Sequence, residues 1–363
     1  MDWNSYVQYT FTNRQLSKED PESDSPFTIT DAGHLRLYGG LLWASSRGWA
    51  PWRFATDGNG TIIGVGPPEE SSGLTYNNHV VKRLQGNQWV DMDVGTGRFN
   101  DVTYDGTFHI FGTSTGSNAL VWTSNDSGET WTSSGFIGMT IDAGVQHPRL
   151  IASDGTGNLV VTGTTTVSEV FGTTIRPQIF VKSSSWANKT NYTTGESGKL
   201  SSYEDLLFAD GKFVSVGRWN GGKKGFSRTS SDGGSTWELS FFDDYSMSSV
   251  TYGTFGGVGY FFAGGVTDFS YPSLLGGSAV FVSSDGVTWD TLESMEEGQT
   301  LGSVRYGQER LVAGGRGPLT GSYDGSVWSY GNALSVDSSI LEGRLTYSPT
   351  PGGGWRIGKI GLG

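Results

Sequence analysis

Three arginines stand at matching places in the chain: Arg53, Arg149 and Arg344 each precede the turn of a short apolar hairpin by four or five residues. Guanidiniums gathered in this way could grip a carboxylate or phosphate, because the planar fork meets two oxygens at once. The competing use is ion pairing between neighbouring sheets, and no Tyr/Glu nucleophile pair or acid Asp accompanies the three. A second set is aromatic: Tyr76, Phe171, Trp219, Phe269 and Tyr271 lie in the otherwise polar stretches "PPEESSGLTYNN", "TTTVSEVFGTTIRP", "RWNGGKKG" and "VTDFSYPSLLGG". Such rings offer a sugar or a partner protein a broad face at low entropic cost. Alternatively they fold back over sheet edges.

Other chemistry is thin. The histidines, His34, His79, His109 and His147, lack metal-ligand spacing, and no H-E-x-x-H, G-x-S-x-G or phosphate-cradling glycine loop occurs. The acidic doublets Glu69-Glu70, Asp243-Asp244 and Glu296-Glu297 are chain neighbours, whereas glycoside hydrolysis needs carboxylates facing across a cleft. With no cysteine there is no disulfide, thiolate metal site or cysteine nucleophile. Nothing in the sequence calls for a cofactor or a metal. A net charge of −12 with scattered Lys and Arg leaves no footprint for nucleic acid. No run approaches the roughly 18–20 apolar residues of a membrane span. The opening residues lack the basic start and apolar core of a secretory signal.

The elements that position these residues are hairpins. The chain holds 57 Gly, 13 Trp, 15 Tyr and 19 Phe with only 17% charged residues, a composition of turn formers and strand-favouring aromatics. One tract returns repeatedly: "VWTSNDSGETW", "SRTSSDGGSTW", "VFVSSDGVTW" and "TGSYDGSVW", each a strand, a polar turn and a strand opening with Trp. Before each comes another hairpin, as in "DVTYDGTFHIFG", "LLFADGKFVSVG" and "SVRYGQERLVAGG". Two hairpins make a four-stranded unit that recurs roughly every 40 to 55 residues, the period of a propeller blade. A pair of β-sandwiches would not repeat one motif in register.

Six units run from Arg53 to about residue 335, and "RLTYSPTPGGGWRIGKIG" is the first half of a seventh. "LLWASSRGWAPW" (41–52) matches the second half of a unit and lacks a first. The expected fold is therefore an all-β, seven-bladed propeller over residues 27–363. In it 27–52 and 341–363 share one closing blade, and pairing of the chain ends removes exposed sheet edges. Residues 1–26 form an acidic, Pro-broken arm outside the ring.

Within the turn S-x-D-x-G-x-T-W, the Asp accepts backbone amides, Gly takes a positive φ, and Trp fills the space between sheets. Ser124, Asp126, Gly128, Thr130 and Trp131 match it, as do Ser230, Asp232, Gly234, Thr236 and Trp237. Asp285 to Trp289 and Asp324 to Trp328 are one residue shorter. One carboxylate per turn, each in a different blade, falls far short of the six to eight oxygens of a calcium site. The motif resembles the Asp-box of BNR-repeat, sialidase-like β-propellers, over about residues 27–363. That resemblance implies propeller architecture and assigns the motif residues to scaffolding. It also raises the sialidase arginine triad as a parallel for Arg53, Arg149 and Arg344.

Strand order puts the Asp-box turns on one side of the disc and the long connections on the other, where binding groups concentrate. The expected function is a non-catalytic binding or structural module. Similarity of composition to phage virion components suggests a tail or capsid-attached protein that meets a host glycan or partner protein through the loop-rich face. Residues 1–26 would then tether it to other virion or assembly proteins. The alternatives are a sialidase-like or other glycan-degrading enzyme, and an assembly factor in the cytoplasm.

Overall fold

The computed structural model describes residues 27–29, 35–37, 53–57, 59–66, 79–85, 88–95, 97–113, 118–135, 137–138, 150–169, 172–190, 200–219, 224–267, 277–295, 300–307, 310–316, 319–323, 328–332, 343–348 and 354–359. All of the regular elements among them are strands. β1 (Phe27–Ile29) forms a two-stranded sheet with β2 (Leu35–Leu37). The first four-stranded sheet holds β3 (Arg53–Thr56), β4 (Ile62–Gly66), β5 (Val80–Gln85) and β6 (Gln88–Asp91). The second holds β7 (Arg98–Tyr104), β8 (Phe108–Thr113), β9 (Ala119–Ser124) and β10 (Thr132–Ser133). The third holds β11 (Leu150–Ser153), β12 (Leu159–Glu169), β13 (Gly172–Lys182) and β14 (Trp186–Asn188). The fourth holds β15 (Leu200–Ala209), β16 (Lys212–Trp219), β17 (Lys224–Ser230) and β18 (Glu238–Asp243). The fifth holds β19 (Ser246–Phe255), β20 (Val258–Val266), β21 (Ser278–Ser283) and β22 (Asp290–Met295). The sixth holds β23 (Thr300–Gly307), β24 (Arg310–Arg316), β25 (Leu319–Tyr323) and β26 (Trp328–Asn332). A last hairpin joins β27 (Gly343–Ser348) to β28 (Gly354–Lys359).

Every sheet is an antiparallel meander, and the first strand of each four-stranded sheet packs beside that of the next. Apolar layers fill the gaps in series. Ile63 and Val65 meet Val102 and Phe108 between the first two sheets. Phe111 and Val121 meet Ile151 and Val161 in the next gap, and Val160 and Ile179 meet Leu206 and Phe213 in the third. Val214 and Val216 then meet Val250 and Phe261, and Phe262 and Val280 meet Val304 and Leu311. A sheet covered on both faces needs no polar alternation, which is why every residue of β4, β8 and β11 is buried. The outermost strands revert to exposure, as in β10 and β18. One apolar layer per sheet boundary is propeller packing, and a sandwich pair has no such series.

The inner strands share an irregularity that their sequences do not advertise. A β-bulge falls at Phe99/Asp101, Tyr203/Asp205, Met247/Ser249 and Leu301/Ser303, the same level of the second, fourth, fifth and sixth sheets. A bulge re-aims the side chains around it. It also explains the glycine that ends the first hairpin of these units: a Cβ on Gly217 would lie 2.1 Å from the Ser202 carbonyl oxygen and 2.6 Å from the Phe226 ring.

The stretch 164–177, expected from sequence as an irregular loop, is largely strand: β12 and β13 pair continuously from Leu159↔Lys182 to Glu169↔Gly172 as one long hairpin. Its Thr, Val and Ile residues favour extended backbone, and that preference prevails over their polarity. The segment 41–52, expected in the closing blade, lies outside the described residues.

Candidate functional site

The turn end of the sheets is fixed by side chains. Ser124 Oγ donates to Asp126 Oδ1 (2.7 Å) and accepts from the Gly128 amide (2.9 Å), while Thr130 donates its amide and hydroxyl to the same carboxylate (2.9 and 2.6 Å). The Thr130 hydroxyl and amide, with Ser124, hold the Asp126 carboxyl down to about 2. Ser230, Asp232, Gly234 and Thr236 repeat the pattern. Burial raises the Asp232 and Asp285 carboxyls, and hydrogen bonds from Thr236 and Thr288 respectively outweigh it, so both end below the ordinary value. Gly234 has φ +89°, and a Cβ there would sit 2.8 Å from Val181 of the preceding sheet.

The indoles show the effect of turn length. Trp131 and Trp237 donate Nε1–H to the carbonyls of Gly128 and Gly234 within their own turns (3.0 and 2.9 Å). In the shorter turn Trp289 reaches instead to Ser227 Oγ of the fourth sheet (2.9 Å). With their oxygens engaged, these carboxylates clamp turns. Among the described residues no cluster of His, Asp and Glu could hold a metal ion. Asp324 lies outside them, and Trp328 begins β26.

A Ser/Asp/His grouping also occurs near this end. His109 Nε2 lies 3.0 Å from Asp105 Oδ1, and Ser153 Oγ donates to Asp105 Oδ2. The carboxylate stands between the other two, so the serine hydrogen points to Asp105 and not to an imidazole base, unlike a nucleophilic triad. Burial raises the Asp105 carboxyl, but His109, Ser153 and the Thr107 amide outweigh it and leave it low. The group joins the second sheet to the third.

Where the inner strands converge, Asp205 is the hub. Its Oδ1 accepts from the Leu206 amide (3.2 Å) and its Oδ2 from the Val250 amide of the fifth sheet (3.1 Å). Arg305 of the sixth sheet donates Nη2–H to Oδ2 (2.8 Å), and Arg53 of the first sheet brings Nη1 within 3.6 Å of Oδ1. All three side chains are buried. Asp101 makes the corresponding bond from the second sheet to the Ile151 amide of the third (2.9 Å), and Ser249 makes it from the fifth to the Val304 amide of the sixth (2.9 Å). Of the two uses the sequence offers Arg53, an external anion or an ion pair between sheets, the structure shows the ion pair, onto a carboxylate of its own chain. Arg344 falls within β27, and Arg149 lies outside the described residues.

At the loop end, Trp219 is the last residue of β16 and not a loop residue. Its ring stands edge-on to Phe241 of β18, with centroids 4.9 Å apart at 84°. Phe241 is 46% exposed. Below it Arg218 Nε lies 3.1 Å from the buried Glu204, which also accepts from Ser202 Oγ. Tyr76, Phe171, Phe269 and Tyr271 lie outside the described residues. Sequence reading missed Asp205, Arg305 and Phe241. The available signals were the carboxylate pair Glu204-Asp205 heading the apolar run "LLFA" and the consecutive Phe241-Phe242, which a strand must send to opposite faces.

No protein-family model matches the chain, and no curated protein matches its sequence. Solved structures similar to it include YCF48 bound to D1 peptide, at 14% identity over 86% of this chain and 94% of that one, with a TM-score of 0.49. A fungal lectin from Aleuria aurantia, described as a six-bladed β-propeller with a novel fucose recognition mode, shows 10% identity over 76% of this chain and 92% of its own, with a TM-score of 0.44. The Trypanosoma rangeli sialidase in complex with DANA shows 14% identity over 84% of this chain and 56% of its own, with a TM-score of 0.43.

Proposed function

We propose that the chain is a non-catalytic binding module that presents its loop-rich end to carbohydrate. The observation that carries this reading is the contrast between the two ends. One is closed by short turns whose polar groups are satisfied internally. The other carries the long connections and an exposed aromatic ring. Loops and strand ends on a rigid scaffold are where ligands are met. The engagement of Arg53 and of the Asp105 and Asp205 oxygens within the protein favours binding over sialidase-like turnover. A glycan array probed with the full chain, beside fluorogenic glycoside assays, tests the reading. Binding without hydrolysis is expected, and turnover of a sialoside would overturn it.

In this reading the scaffold is a seven-bladed ring, with β27–β28 as the inner half of the seventh blade and residues 27–52 completing it. The packing of β28 beside β3 supports it, because β4, β8, β16 and β20 lie in the same way beside the first strand of the following sheet. A thiol-free composition rich in Gly, Ser and Thr suits a phage virion protein, tail or capsid-attached, with residues 1–26 as its tether. The chain should then sediment with particles, and deletion of residues 1–26 should release it.

A further inference from the structure

We infer that the loop-end face of the fourth sheet, formed by Trp219, Lys224, Phe241 and Asp243, is a binding site for a neutral hexopyranose. This rests on the carbohydrate reading above and locates it. The register brings the four together. Gly217, Phe226 and Phe241 form one cross-strand row, and the next row, Arg218, Gly225 and Phe242, points to the opposite face. One step further, Lys224 pairs with Asp243, level with Trp219. Alternate rows share a face, so Trp219, Lys224 and Asp243 project on the same side as Phe241. That row ends at the loop-rich side of the sheet.

The chemistry of the patch is that of a saccharide subsite. The edge-on contact with Trp219 holds the Phe241 ring, leaving an apolar surface against which the C–H face of a pyranose can pack. The Lys224 and Asp243 side chains form an ion pair with 52% and 75% exposure, placing ammonium donors and carboxylate acceptors beside the rings for sugar hydroxyls. Because that pair is internally compensated and the protein carries a net charge of −12, an uncharged sugar fits better than a sialic acid or a uronic acid.

The aromatic at 241 is not an architectural requirement. The fifth sheet has a bulge and a glycine at the same level, where the row runs from Met247 through Gly265 and Ala279 and ends on Ser294. In the second sheet β10 ends at Ser133, before that row is reached. The fold thus accepts a small polar residue, or no strand at all, where the fourth sheet exposes phenylalanine.

The test uses the full chain and the methyl glycosides of galactose, glucose, mannose and fucose, with the methyl glycoside of N-acetylneuraminic acid for comparison. Binding is read by calorimetry and by saturation-transfer NMR. Phe241→Ser copies the residue at the equivalent row of the fifth sheet and should keep the fold, as judged by its melting temperature. It should weaken binding of the preferred neutral glycoside by about tenfold or more, or about 1.4 kcal/mol. Asp243→Asn should weaken it as well. If a neutral glycoside binds the wild type and both variants equally, the site is elsewhere and the carbohydrate reading survives. If the sialoside binds better than every neutral glycoside, the assignment to a neutral sugar is wrong. If none of the glycosides binds the wild type, both this site and the reading beneath it fail.

Discussion

At the scale of the residue, the turn end depends on a few donors around one carboxylate. Asp126 titrates at about 2 in the folded protein, below its ordinary 3.8. A folded value below the unfolded one means that the group stabilises the protein fully above its ordinary value and loses that contribution as pH falls through the folded one. Thr130 supplies the largest influence, so Thr130→Ala should move the Asp126 carboxyl upward toward 3.8, as followed by NMR titration of the carboxyl carbon. Gly234 is constrained twice, by its positive φ and by Val181. Gly234→Ala should cost about 1–2 kcal/mol from backbone conformation alone, read by chemical denaturation, with crowding adding to it. These roles were legible in the sequence because each is local. Asp, Gly, Thr and Trp act within a few residues of one another, and composition plus spacing is enough to recover them. The position of Phe241 was legible only in part. Strand alternation sends one of two consecutive phenylalanines outward, but nothing local says whether a neighbouring sheet covers it.

At the scale of the element, a side chain on one inner strand satisfies a backbone amide on the next. Asp101, Asp205 and Ser249 do this for Ile151, Val250 and Val304. Removing the acceptor would leave a buried amide unpaired, which costs about 1–3 kcal/mol. Ser249→Ala should lower stability by that amount, measured by denaturant unfolding, and should speed hydrogen exchange at the Val304 amide. The strands themselves were readable from turn residues and alternation, and the observed sheets follow the repeated hairpins unit by unit. The bulges were not, because nothing in the residues around Asn100, Glu204 or Ser248 marks an extra residue until the register with the partner strand is known. The β12–β13 hairpin is illegible for a related reason: Thr-rich sequence is equally at home in loops and strands, and pairing across the hairpin decides.

For the molecule as a whole, the centre is organised by contacts between sheets far apart in sequence. Asp205 touches the first, fifth and sixth sheets from the fourth. Breaking a buried ion pair by removing one partner leaves uncompensated charge and typically costs about 3–5 kcal/mol. Asp205→Asn should therefore destabilise the protein by about that much in equilibrium unfolding, well beyond the effect of Ser249→Ala. The sequence places Arg53 on an inner strand and leaves an external anion and ion pairing between sheets as its two uses. The structure shows the ion pair, and its partner Asp205 is not legible because it is set by how the inner strands converge.

That convergence has a bearing on synthesis. Each sheet is a run of adjacent hairpins and can form soon after it leaves the ribosome, but Arg305 follows Asp205 by 100 residues. At translation rates of about 5–20 residues per second, that separation corresponds to about 5–20 s during which the nascent chain holds Asp205 without its shortest cationic contact. The sixth sheet, made after the other four-stranded sheets described, therefore carries the arginine that completes the Asp205 cluster.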